Sequence, residues 1–304
     1  MKSTTAFLAI VGKPNVGKSS LMNRILGQKI AIVSDKPQTT RTRIMGVLTE
    51  GECQLVFTDT PGLHKPKTRL GESMVKAVGD SVGDVDACVL VIDCSDMRSD
   101  LSPSPAERSL IERFNKSKIP AVLVINKIDL LPDKSRLLPI IAAYSDLYGF
   151  SAVVPVSAAD GSGIVELKSE LKKFAAESIH YFGDDELTDQ SERTLSAEII
   201  REKLLRFLDK EVPHGIAVGI EKFKDRQTSA GEDIIDIEAI IYCESESHKG
   251  IIIGKKGAML KKISTLARQD IEAFFGCKVA LTCWVKVKED WRNRQGLIHN
   301  FGLD

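Results

Sequence analysis

The chain has 304 residues, of which 43% are hydrophobic and 28% charged, with 22 Gly and 11 Pro; this excludes disordered, collagenous and disulfide-stapled classes and leaves room for two domains. Lys+Arg and Asp+Glu are both 42, for a formal net charge of zero. Taken as an average, that balance argues against a nucleic-acid or anionic-membrane partner, which a net positive field would attract.

From the N-terminus to about residue 179, short apolar runs alternate with longer amphipathic stretches. The runs are Phe7 to Val11, Gln54 to Thr58, Ala87 to Ile92, Ala121 to Ile125 and Ala152 to Val156. Between them, helical patterns are predicted over Lys18 to Leu26, Met74 to Val82, Pro105 to Asn115, Lys134 to Tyr148 and Gly163 to Ala176. Continuous apolar strands separated by helices are the pattern of a mostly parallel sheet covered on both faces, so residues 1–180 read as an α/β domain. The pattern breaks at 181–194, YFGDDELTDQSERT, which reads as an acidic linker. Residues 195–304 then give a helix, Ser196 to Leu208, strands Ile216 to Lys224 and Asp233 to Cys243, a Gly-punctuated basic stretch, a helix over Ala258 to Phe275 and a strand over Lys278 to Val287. That order marks a separate α+β domain.

The motifs sit where this element pattern needs them. Gly12-Lys13-Pro14-Asn15-Val16-Gly17-Lys18-Ser19 fits G-x-x-x-x-G-K-[ST] after the first strand and opens a helix, with Ser20 following. It is a P-loop, in which converging N–H groups cradle phosphates, Lys18 reaches the β- and γ-phosphates and Ser19 binds Mg2+. Asp59-Thr60-Pro61-Gly62 ends the second run; Asp59 can hold the Mg2+ and the Gly62 N–H can meet the γ-phosphate. Asn126-Lys127-Ile128-Asp129 ends the fourth run, and the Asp129 carboxylate can accept two guanine N–H groups that adenine lacks. Ser157-Ala158-Ala159 after the fifth run can offer a backbone N–H to guanine O6. These four motifs in order resemble the boxes of a P-loop, Ras-like G domain that binds GTP and GDP.

Between the first two motifs, residues 34–41 fit switch I, where a threonine binds Mg2+ and, through its N–H, the γ-phosphate. Thr40 is favoured over the adjacent Thr39, which spacing alone does not separate. Leu63 stands where Ras-type enzymes carry a water-orienting glutamine, so intrinsic hydrolysis is expected to be slow or to use another group; His64 reads as a solvated switch II residue. Asn15 resembles the asparagine of GTPases that bind K+ beside the P-loop. Lys18, Thr40, Gly62 and Asn15 are therefore the expected catalytic set.

In the second domain, Ile253-Gly254-Lys255-Lys256-Gly257, with Lys261 one turn on, resembles the G-x-x-G turn of a type II KH domain, where backbone and lysines meet an RNA backbone. Residues 245–294 hold 11 Lys+Arg against 5 Asp+Glu. Zero net charge is thus a cancellation, and RNA is expected to meet one face of this domain. Phe274, Phe275, Trp284 and Trp291 read as packing residues. The six cysteines make no zinc or redox spacing and read as buried reduced thiols. No apolar run is long enough for a signal core or a membrane span, which fits a cytoplasmic protein.

A single G domain joined by an acidic linker to a type II KH domain resembles the bacterial Era family of GTPases, nearly end to end. Residues 196–203, SAEIIREK, and 284–288, WVKVK, look like its signature stretches. The resemblance implies a factor for assembly of the 30S subunit that binds 16S ribosomal RNA near its 3′ end and associates peripherally with the inner membrane. The chain is expected to be a monomer.

Overall fold

The computed structural model describes residues 2–36, 39–61, 68–70, 72, 74, 85–96, 101–227 and 231–303. The chain divides into two compact units: Met1–Ala31, Thr40–Pro66 and Gly71–Asp189 form the first, and Ile32–Thr39, Lys67–Leu70 and Gln190–Asp304 the second.

In the first unit, strands β1 (Thr4–Val11), β2 (Ile44–Glu50), β3 (Cys53–Asp59), β4 (Ala87–Asp93), β5 (Ala121–Asn126) and β6 (Ala152–Pro155) form a sheet in the order β2-β3-β1-β4-β5-β6. All neighbours are parallel except β2, which pairs antiparallel with β3. Every residue of β4 and β5 is buried, as a sheet covered on both faces requires. Helices α1 (Lys18–Leu26), α2 (Pro105–Ser117), α3 (Leu137–Ser145) and α4 (Ile164–Lys172) follow β1, β4, β5 and β6. Helix α2 starts where its sequence says, on a Ser104/Glu107 capping box with Pro105 at the first helical position. Phe114 and Ile111 of α2 and Tyr144 of α3 close one core against β4 and β5.

Three features differ from the sequence expectation. Strand β2 was not expected: its buried positions Gly46, Val47 and Leu48 run together rather than alternate, and the first of them is a glycine. The glycine is needed because α1 crosses close by, and a Cβ there would lie 2.6 Å from Leu26 Cδ1. Helix α4 stops at Lys172, short of Ala176, and Ala176–Glu177 becomes β7, antiparallel to the start of β1. Residues 181–189, expected as linker, are hydrogen-bonded to the first sheet: Gln54 holds the Tyr181 N–H at 2.8 Å and the Phe182 carbonyl at 3.0 Å, and Val47 N–H donates to Leu187. The helix expected over Met74 to Val82 lies outside the described residues.

The second unit contains α5 (Glu192–Phe207), β8 (Ala217–Gln227), β9 (Asp233–Cys243), α6 (Glu246–Ile253), α7 (Ala258–Phe275), β10 (Lys278–Val287) and α8 (Gln295–Asn300). Helix α5 begins within the stretch expected as linker, because the Ser191 hydroxyl caps it by accepting the Thr194 N–H at 3.2 Å. The sheet order is β10-β9-β8, with β9 and β10 parallel and joined by the α6–α7 crossover. One sheet face meets α5, α6 and α7 through Ile199, Ile200, Leu204, Ile237, Ile241, Ile252, Ile263 and Ile271. Alternation along β10 turns Ala280, Thr282, Trp284 and Lys286 to the other face, so Trp284 is 59% exposed rather than packed as expected. Trp291 is fully buried, with its indole N–H on the Gly215 carbonyl at 2.9 Å. All six cysteines are free thiols. Among the described residues, no helix is long and apolar enough to cross a membrane.

Candidate nucleotide site and nucleic-acid turn

The parallel register brings the first-domain motifs to one edge, since each follows the C-terminal end of a strand. Ile10 pairs with Asp59, Asp93 with Asn126 and Ile125 with Pro155. Ligands of open α/β sheets bind at this edge.

Gly12 to Ser20 wrap from β1 into α1. Gly12 and Gly17 have φ of 152° and 95°, and a Cβ on them would lie 2.4 Å from the Val91 carbonyl oxygen and 2.3 Å from Asn126 Nδ2. Only glycine lets the loop close this tightly. Val16 is buried, Lys13 and Pro14 are half-buried, and Asn15, at φ 64°, is exposed. Lys18 is 6% exposed, its ammonium donating to the Gly12 and Lys13 carbonyls at 3.2 and 2.9 Å. Burial pushes its pKa down to about 8, against the pull of the Asp59 charge.

Beside Lys18, Ser19 Oγ donates to Asp59 Oδ2 at 2.6 Å and lies 3.0 Å from Thr40 Oγ1, itself 3.3 Å from Asp59 Oδ2. The adjacent Thr39 hydroxyl turns away and donates to the Lys36 carbonyl at 2.6 Å. Asp59 is fully buried, and its Oδ1 has no hydrogen-bond partner. Burial raises its carboxyl above the usual range, although Lys18, Ser19 and Thr40 pull it back. A buried carboxylate with one oxygen on two hydroxyls and the other without a partner fits a hard divalent cation. No cluster of three or more His, Cys, Asp or Glu suited to a metal occurs among the described residues. A Mg2+ on this set would therefore take its remaining ligands from phosphate and water, its usual habit. Thr60 is buried on the Ile10 carbonyl at 3.0 Å, and Pro61 is buried. Gly62, Leu63 and His64 lie outside the described residues.

On the other side, Asn126 ties two loops together: Nδ2 donates to the Val16 carbonyl at 2.8 Å and Oδ1 accepts the Ala158 N–H at 3.0 Å. Asp129 and Ala159 are exposed and Ser157 is buried. Three supporting residues escaped the sequence reading. Asp93 pairs with Lys127, and although burial raises the Asp93 carboxyl, hydrogen bonds from Lys127 and Ser95 hold it below the usual range. Arg24 donates to the Ala158 carbonyl at 3.0 Å and to that of Ala159. Glu107 faces Lys13 at 3.7 Å. A polar residue closing an apolar strand was a readable signal for Asp93; the other two depend on which helix lies beside which loop.

In the second unit, Ile253 ends α6 half-buried and Gly254 takes φ 70°, where a Cβ would lie 2.7 Å from Met259 Cβ. Lys256 and Gly257 also have positive φ, and Lys255, Lys256 and Lys261 are exposed. The turn delivers them to the N-terminus of α7, whose first turn holds no acid. A helix N-terminus beside exposed lysines suits a phosphate backbone.

Comparisons with known proteins agree with both halves. Residues 7–127 match the family described as 50S ribosome-binding GTPase, and residues 211–292 match the KH domain. The chain is 50% identical over 300 residues to GTPase Era of Clostridioides difficile (strain 630), covering 99% of this chain and 98% of that one. A crystal structure of Era in complex with MgGDPNP and nucleotides 1506–1542 of 16S ribosomal RNA superposes with a TM-score of 0.92 at 38% identity, covering 99% of each chain. An Aquifex aeolicus Era variant bound to GDP and aluminium fluoride gives 0.91 at 39% identity, covering 100% of this chain and 99% of that one. With a P-loop site at one sheet edge, a G-x-x-G turn on a type II KH unit and full-length identity of this order, the chain belongs to the Era family of GTPases.

Proposed function

We propose that this GTPase binds GTP and GDP with Mg2+ at Gly12 to Ser20, Thr40, Asp59 to Leu63, Asn126, Lys127, Asp129 and Ser157 to Ala159, and uses the nucleotide state to govern binding of 16S ribosomal RNA near its 3′ end. The observation that carries the first half is the Ser19, Thr40 and Asp59 cluster, with a buried, unpartnered carboxylate oxygen beside the buried Lys18. Magnesium, when bound, neutralises charge that builds on the transferring phosphoryl oxygens. Lys18 supplies a second positive charge to the same oxygens, and Gly62 and Thr40 offer N–H groups to the γ-phosphate. Asp129 accepts from guanine. The Ala159 N–H, for which no protein partner occurs among the described residues, faces O6 while Ala158 is engaged by Asn126. Leu63 has no group that can orient water, so K+ held by Asn15 is the charge assigned to assist hydrolysis.

For the second half, Lys255, Lys256 and Lys261 around Gly254 and Gly257, with Ile253 at the end of α6, are the residues assigned to RNA. The 50S in the matched family description covers only the G domain, which many GTPases share, whereas the full-length relative of 38% identity holds a 16S segment. The full-length likeness weighs more and supports a role in 30S subunit assembly; a cytoplasmic location and a monomeric state belong to the same proposal and rest on the sequence and the family resemblance. Peripheral association with the inner membrane rests on the family resemblance alone.

The test is single-turnover hydrolysis by the full chain and Asp59→Asn, in K+ and in Na+. Wild type is expected to require Mg2+ and to run faster in K+. Asp59→Asn should lose at least about a hundredfold in rate, the scale of one electrostatic group in a reacting site. Mg2+-independent turnover would overturn the cluster's assignment, and equal rates in the two salts would overturn the role of Asn15.

A further inference from the structure

Between β6 and α4, inside the first unit, residues 157–162 commit nearly all their backbone donors within the protein. The Ser157 N–H goes to the Ser162 carbonyl at 2.9 Å, and the Gly161 N–H returns to the Ser157 carbonyl at 2.8 Å. The Asp160 N–H meets Ser157 Oγ at 3.2 Å, the Ser162 N–H meets Asp160 Oδ1 at 2.8 Å, and the Ala158 N–H meets Asn126 Oδ1 at 3.0 Å. In this stretch the Ala159 N–H alone has no partner among the described residues, and Ala159 is exposed. The carbonyls on either side of it are held from outside the loop. Arg24, in the last turn of α1, donates from Nε to the Ala158 carbonyl at 3.0 Å and from Nη2 to the Ala159 carbonyl. Its side chain passes beside Gly161, where a Cβ would stand 3.9 Å from Arg24 Cδ.

The Ala158 carbonyl is one end of the peptide group whose other end is the Ala159 N–H. That group is planar and trans, so an anchor on its oxygen sets the direction of the N–H. Ala158 and Ala159 end at Cβ, so no side chain of their own can do this. Arg24 stands on the helix that Lys18 opens, so one rigid element carries the phosphate lysine at its start and the brace of the base loop at its end. We infer that Arg24 is a positioning residue for guanine recognition: by holding the Ala158 carbonyl, it aims the Ala159 N–H at O6 of the base. The inference rests on the reading of the Ala159 N–H as the donor to O6. A basic residue in the last turn of a helix also suits the helix dipole, but that role asks only for charge. The hold on two successive carbonyls asks for a planar fork, which a lysine ammonium does not reproduce.

The experiment measures affinities of the full chain for GDP, 6-thioguanosine diphosphate and inosine diphosphate with Mg2+, in wild type, Arg24→Met and Arg24→Lys. The thio analogue replaces O6 by a sulfur, a weak acceptor, and keeps both N–H groups assigned to Asp129. Inosine diphosphate keeps O6 and lacks the 2-amino group. Wild type is expected to bind the thio analogue about fivefold more weakly than GDP, the scale of one uncharged hydrogen bond. Arg24→Met is expected to weaken GDP and inosine diphosphate by one common factor of about five, and the thio analogue less than twofold, because residue and ligand atom act on the same bond. Arg24→Lys keeps the charge without the fork and is expected to follow Arg24→Met. Equal losses for GDP and the thio analogue, which a general weakening of the fold would also give, would overturn the inference. So would no loss for GDP, a GDP loss that inosine diphosphate does not share, or wild-type GDP affinity in Arg24→Lys. A wild type that binds GDP and the thio analogue equally would overturn the reading of the Ala159 N–H as well. A wild type that tells them apart, matched in this by Arg24→Met, overturns this inference alone.

Discussion

Lys18 meets a nucleotide as a cation already near its titration point, because burial has brought it down to about 8. Phosphate charge raises it again, so bound protein holds a proton that free protein loses above that pH. GDP affinity should therefore be full below pH 8 and fall by up to about tenfold per unit above it. Calorimetric titration between pH 7 and 9 checks this, with Lys18→Met expected to give a flat, weak profile. For folding without nucleotide the sign reverses. The unfolded lysine keeps its proton up to 10.5, so between 8 and 10.5 the unfolded state binds more protons and stability rises with pH. The residues proposed for phosphate, cation and guanine stood out in the sequence because each such ligand demands a residue type at a strand end, and the parallel register brings the strand ends that carry them to one edge. Thr39 and Thr40 were not separable, since only the turn of the backbone sends one hydroxyl to Ser19 and the other to Lys36.

Elements were legible where burial is uniform or alternation clean. Strand β9 and helix α7 stand at the residues the pattern indicated, Asp233–Cys243 and Ala258–Phe275. Strand β2 was missed because it is neither wholly apolar nor alternating, and the start of α5 because charged residues disguise its first turn. The Gly254 to Gly257 turn yields a prediction of two parts. Lys255→Ala with Lys256→Ala removes exposed side chains, so the melting temperature should hold while RNA affinity falls. The slope of log affinity against log salt should drop by about 0.7 for each phosphate of a single strand that the protein no longer neutralises. Gly254→Ala should instead destabilise the second unit, since it adds both left-handed strain and a 2.7 Å approach to Met259. Filter binding across a salt series and thermal melts separate the two.

Across the whole molecule, residues 245–294 carry 11 Lys+Arg against 5 Asp+Glu, and the other 254 residues 31 against 37. RNA is thus attracted to one stretch and repelled by the remainder, and the average charge was the least informative number in the sequence. If nucleotide state governs RNA affinity, reciprocity requires RNA to shift the GTP-to-GDP affinity ratio by the same factor. Measuring both couplings on one preparation, with a 16S 3′-end fragment, should return equal factors; a factor of one in either would end the switch reading. Segment 32–39 has one more consequence, in the order of synthesis. A nascent chain made as far as Asp189 already contains every strand of the first sheet and its P-loop, but the partners of 32–39 on α5 are still to come. Such a fragment can form the first sheet as a unit while 32–39 still lacks those partners. The second unit thus closes last, on a segment made before any of its own strands.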